Sequence, residues 1–90
     1  MSAVTILFME YRIVLIKVEK RTDAAADVQK ILTDYGCSIS VRLGLHDEPA
    51  GSCSPSGLIF LQVSGGQEPV EKMVEELNEL DNVTAKYLTI

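Results

Sequence analysis

The chain has 90 residues, 47% of them apolar, and a formal net charge of −5. That is enough material for one small core and too apolar for a disordered chain. The excess of carboxylates repels phosphate backbones and argues against direct binding to nucleic acid.

Residues 1–10, MSAVTILFME, are apolar but do not read as a signal peptide or a spanning helix. They lack a basic leading segment, and Glu10 and Arg12 interrupt the run. The sequence therefore predicts no membrane segment. It predicts an N-terminal extension or extra strand over 1–10, followed by one domain over 11–90. Met9 offers an alternative start, because MEYRIVLIKVEKR already contains the whole first strand. An apolar stretch such as VTILF would then need something to pair with, for instance a neighbouring subunit. Two cysteines in an acidic chain without a leader imply a reducing, cytoplasmic setting.

Tyr11 to Val18 is dominated by β-branched and aliphatic residues, the composition of a buried strand. Thr22 and Asp23 are good N-cap types. Val28, Ile31, Leu32 and Tyr35 then recur at the spacing of one helix face, and Gly36 is the expected stop. Ile39, Val41, Leu43 and Leu45 alternate with Ser40, Arg42 and Gly44, which predicts a strand with one apolar face. A loop rich in Pro, Gly and Ser covers 46–56. Leu58 to Val63 reads as a central strand, Gly65-Gly66 as a turn, and Pro69 as part of a first helical turn. Val70, Met73, Val74, Leu77 and Leu80 form a second amphipathic face, with Glu71, Glu75, Glu76 and Glu79 on the wet side. Val83 to Ile90 is the last strand.

This order, β-α-β-β-α-β, predicts an α+β ferredoxin-like fold. Its antiparallel four-stranded sheet has strand order 4-1-3-2, with both helices on one face. The other face is left uncovered. Strand parity puts Ile13, Leu15, Leu58 and Phe60 on it, with Arg42, Lys17, Gln62 and Lys86 around them. An apolar patch of that kind predicts a homo-oligomer, a dimer or tetramer, formed by sheet-face packing or by pairing of edge strands.

Two places could carry chemistry. His46, Asp47, Glu48 and Cys53 are metal-ligand types close together, and a His46/Cys53 set could hold a transition metal such as zinc or iron. Each of His and Cys occurs there once, without the paired spacing of recognisable zinc sites, so a polar hairpin loop is the ordinary alternative. Lys20, Arg21, Thr22 and Asp23 open the first helix, where backbone amides and positive charge suit a small anion. An ordinary helix start is the alternative there. Cys37 and Cys53 stand at opposite ends of one strand, roughly 20 Å apart, too far for an intrachain disulfide. Cys37, just after the helix, is expected to be buried. No P-loop, G-x-S-x-G or dinucleotide turn is present, so no enzyme is predicted.

The stretches ISVRLGLHD, GLIFLQVSG and EELNELDNVTAKYLTI carry a resemblance. From about Tyr11 to Ile90 the chain resembles the small ACT-like proteins of the iron-only hydrogenase system regulator family. The resemblance implies a stand-alone ferredoxin-like domain that oligomerises and senses a small ligand or a protein partner. Related ACT domains bind amino acids after the first strand, often through D-x-P-G; here VEKRTDAAAD has neither Gly nor Pro. ACT-like nickel-responsive repressors use several His ligands, and this chain has only His46. Any control of transcription would then run through a partner that touches the DNA. The expectation is a non-enzymatic regulatory module. Its rivals are a metal sensor using His46 and Cys53 and a purely protein-interacting module.

Overall fold

The computed structural model describes residues 10–19, 21–46 and 57–90. Strand β1 (Arg12–Val18) is followed by helix α1 (Arg21–Asp34), a short 3₁₀ turn (Gly36–Ser38) and strand β2 (Ile39–His46). Strand β3 (Gly57–Val63), helix α2 (Gln67–Asn78) and strand β4 (Val83–Thr89) complete the order. The sheet runs β2-β3-β1-β4 with every neighbouring pair antiparallel. This is the expected 4-1-3-2 order of a ferredoxin-like fold. Residues 1–9, Lys20 and the 47–56 loop, including Cys53, lie outside the described residues.

The two central strands are the most aliphatic, as a strand with a neighbour on each side must be. Val14, Ile16 and Val18 of β1 and Leu61 and Val63 of β3 point toward the helices. They meet Val28 and Leu32 of α1 and Val70, Met73 and Leu77 of α2. Each large side chain buried there contributes about 1.5–3 kcal/mol. The helical spacing read from sequence thus marks the core faces correctly, with Ile31, Tyr35, Val74 and Leu80 packed at the rim.

Several local expectations are corrected. Arg42 does not join the uncovered face. The β2–β3 register shifts between Ile39 and Val41, where Ile39 pairs with Val63 but Val41 pairs with Gln62. This bulge inserts one residue, so Ile39 packs against the core while Val41 and Leu43 turn to the opposite face, 47% and 52% exposed. Arg42 falls on the helix side, opposite Leu61. Cys37 is exposed and free, because the 3₁₀ turn that carries it buries none of its residues. Gly36 does not end α1 in a left-handed conformation. The chain instead tightens into the 3₁₀ turn, with Ser38 N donating to Tyr35 O at 2.9 Å. Thr22 and Asp23 lie within α1, after Arg21. Among the described residues the left-handed positions are Gly65 (φ 86°) and Asn82 (φ 65°), in the turns before α2 and β4.

Candidate functional site

One end of the sheet collects the loops. His46, Gly57, Val18 and Val83 stand in a single row across the four strands. The turn after β1, the first turn of α1, both lips of the 47–56 loop and the α2–β4 turn therefore share that end. His46 and Val18 are two strand spacings apart, about 10 Å. The end of β2 and the end of β1 that leads toward α1 thus stand at the same end of the sheet. Arg21, Thr22 and Asp23 form the start of α1, and His46 closes β2. Lys20 and Cys53 are outside the described residues. Among the described residues no three His, Cys, Asp or Glu side chains converge in a way that could hold a metal ion.

A cleft of about 400 Å³ lies at this end, between α1 and the α2–β4 turn. Ala24, Asp27, Glu79, Leu80, Asp81 and Asn82 line it. Asn82 shapes one wall: its left-handed backbone lets its carbonyl accept from Glu19 N at 2.7 Å, tying the turn to the end of β1. Asn adopts that conformation at lower cost than most residues. Three carboxylates around one cleft oppose an anion inside it and favour hydrogen-bond donors or positive charge. The nearby Lys17–Glu19 pair, 3.7 Å apart and well exposed, adds little.

The second feature is the sheet face that no described element covers. The register places Val41 and Leu43 of β2, Leu58 and Phe60 of β3, Ile13 and Leu15 of β1 and Leu88 of β4 on it. Ile13 is only 9% exposed, yet it stands apart from the helix-side core. No described helix lies above it. Lys17, Thr84 and Lys86 edge the patch and are exposed. The sequence missed Val41 and Leu43 as members of this face because nothing in it announces the bulge.

Two contacts hold the helices in place. The hydroxyl of Tyr35, at the end of α1, donates to Glu76 Oε2 on α2. That hydrogen bond, then desolvation and the nearby charges of Glu76, Asp34 and Glu75, push the phenol up to about 12. At the far end of the sheet, Arg12 Nη1 donates to Gly65 O at 2.8 Å and anchors the turn into α2.

No protein-family model and no curated protein matches the chain. Solved structures do. An uncharacterized protein from Thermotoga maritima superposes with a TM-score of 0.76 at 22% identity, over 90% of this chain and 98% of that one. A Thermus thermophilus protein provisionally placed among PII-like signaling proteins gives 0.63 at 15% identity, over 90% and 86%. CPII, a nitrogen regulatory PII-like protein from Thiomonas intermedia K12 bound to ADP, AMP and bicarbonate, gives 0.63 at 13% identity, over 90% of both chains. At these identities the likeness establishes the shared ferredoxin-like α+β fold. No described helix is long and apolar enough to cross a membrane.

Proposed function

We propose that this chain is a non-enzymatic, cytoplasmic regulatory module that works as a homo-oligomer and senses a small ligand at its loop-bearing end. The observation that carries the reading is the apolar sheet face opposite the helices. A monomer in water seldom leaves such a face uncovered, and a second copy is the simplest cover. The ligand would act by favouring one arrangement of the copies over another.

The candidate residues for the ligand are Lys20, Arg21, Thr22 and Asp23, because the start of α1 and the end of β2 stand at the same end of the sheet. The fold's likeness to PII-like signaling proteins supports a sensing role, and CPII, bound to ADP and AMP, makes adenine nucleotides the first ligands to test. Phosphates would sit toward Lys20 and Arg21, because the adjoining cleft is walled by Asp27, Glu79 and Asp81. The narrower form of the reading is regulation of a hydrogenase system through a protein partner. The rival metal reading places a transition metal on His46 and Cys53.

Thermal-shift measurements with ADP, AMP, amino acids and divalent metals decide among these, since any ligand of the native state raises its stability. A rise with a nucleotide that is lost in Arg21→Ala supports the sensing reading. A rise with metal alone, lost when both His46 and Cys53 become alanine, replaces it with the metal reading. No rise with any of them leaves a purely protein-interacting module.

A further inference from the structure

We propose that the cleft at the base of β1, at the end of the sheet away from the 47–56 loop, binds a small hydroxylated carboxylic acid such as a hexuronic acid. The ligand carboxylate pairs with Arg12, and one face of its ring lies on Tyr11. This site is separate from the ligand end proposed above, and neither reading depends on the other.

The cleft measures about 380 Å³, within the range of about 300–1,000 Å³ usual for small-molecule sites. The register sets Arg12 opposite Val63, so Tyr11 and Ser64 come one position further on, where the β1–β3 pairing ends. Tyr11, Arg12, Gln62 and Ser64 line the cleft, together with Glu10 and the turn at Gly65. A second cleft of about 250 Å³ shares Glu10 and Arg12 and opens toward Tyr87 and Thr89 on the β4 side. The guanidinium is thus reached from both sides of β1.

Arg12 is held in position before any ligand arrives. Its Nη1 donates to Gly65 O at 2.8 Å. That turn is fixed in its own right by the left-handed backbone of Gly65 and by Ser64 N donating to Ser38 O at 2.8 Å. A guanidinium has five N–H donors, and the bond to Gly65 uses one. Among the described residues Arg12 forms no ion pair; the pair that does form, Lys17–Glu19, is at the other end of the sheet. Arg12 is also the one cation among the residues lining either cleft. A half-buried, positioned guanidinium with donors to spare matches a carboxylate through two parallel hydrogen bonds.

The other groups narrow the ligand. Glu10 puts a carboxylate into the same clefts, which opposes a ligand of higher negative charge and accepts from a ligand hydroxyl. The amide of Gln62 and the hydroxyl of Ser64 can each donate and accept. Tyr11 is 49% exposed and offers a ring face to the C–H side of a sugar. A simple aliphatic acid would leave the amide and hydroxyl unused, and a neutral sugar would leave Arg12 unpaired. A hydroxylated monocarboxylate uses all of them.

Nuclear magnetic resonance titration of the full-length, isotope-labelled protein with sodium D-glucuronate tests the proposal. D-Glucose and sodium acetate, at the same concentration and ionic strength, are the controls. The backbone amides of Tyr11, Gln62, Ser64 and Gly65 are expected to shift together and saturate with glucuronate, and to move far less with either control. Arg12→Gln keeps a donor for Gly65 O and removes the charge. It is expected to weaken binding about tenfold or more, with the amide signals of the helix-side core unchanged. Tyr11→Ala is expected to weaken binding several-fold.

The absence of a saturable shift at those four amides overturns the proposal, as do shifts confined to the loop-bearing end. Equal shifts with glucose, or unchanged affinity in Arg12→Gln, overturn the carboxylate–guanidinium pairing on which it rests. If Arg12→Gln disturbs the turn at Gly65, the glucose control and Tyr11→Ala still decide: equal shifts with glucose, or unchanged affinity in Tyr11→Ala, overturn it.

Discussion

The side chain of Asn78 forms two hydrogen bonds with the backbone of Ala85, donating from Nδ2 at 3.0 Å and accepting at Oδ1 at 2.7 Å. It joins the end of α2 to the outer edge of β4 and stands in for part of a fifth strand. Asn78→Ala removes both bonds and exposes one more pairing position. The expected loss is about 1–3 kcal/mol of unfolding free energy, read by denaturant titration, together with faster aggregation. Asn78→Asp keeps the acceptor and loses the donor, so an intermediate loss is expected.

Phe60 and Leu61 are adjacent but face opposite sides of the sheet. Leu61 is fully buried under the helices, while Phe60 is half-buried on the uncovered face. Leu61→Ala is expected to cost about 2–5 kcal/mol, as large-to-small changes in a packed core do. Phe60→Lys is expected to keep the fold and lower the native mass, as judged by circular dichroism and light scattering. A Phe60 variant that unfolds without changing assembly would show that this face serves stability alone.

The phenol of Tyr35 titrates near 12 instead of its ordinary 10, because ionisation would end its donation to Glu76. A raised folded-state value means the contribution is complete below pH about 10 and is lost as pH climbs toward about 12. Stability is therefore expected to fall across that alkaline window. Tyr35→Phe should flatten this slope and remove the highest step from an ultraviolet phenolate titration. An unchanged slope in the variant would place the alkaline loss elsewhere.

Gly65 and Gly44 are expected to respond differently to alanine. Gly65 has φ 86° and offers its carbonyl to Arg12, so Gly65→Ala should destabilise by about 1 kcal/mol or more through backbone strain. Gly44 has ordinary backbone geometry and open space at its Cβ position, so Gly44→Ala should be nearly neutral for folding. Thermal midpoints of the two variants check both.

The architecture was legible because it follows from periodicity. The spacing of Val28 and Leu32 in one helix and of Val70, Met73 and Leu77 in the other names the buried faces directly. The aliphatic runs of β1 and β3 mark the central strands. What was hidden depends on events that leave no periodic trace. The extra residue between Ile39 and Val41 reverses the sides of the rest of β2, and alternation alone assigned Arg42 to the wrong face. The exposure of Cys37 follows from a 3₁₀ turn where the sequence suggested a helix stop at Gly36. The Asn78–Ala85 and Tyr35–Glu76 contacts join residues that meet only once the helices have docked. The nearness of the helix start to the end of β2 also needed the register row through Val18 and His46. His46 and the helix start at Arg21 are far apart in sequence, so their shared end of the sheet could not be read from spacing.

Native mass spectrometry of full-length protein purified without chelator tests the central claim most directly, because it reports the number of copies and any bound mass together. A multimer is predicted, dissociating in Phe60→Lys, with bound mass matching a small molecule when ADP or AMP is supplied. A monomer at micromolar concentration, with or without nucleotide, would contradict the claim that a second copy covers the apolar face of this sheet.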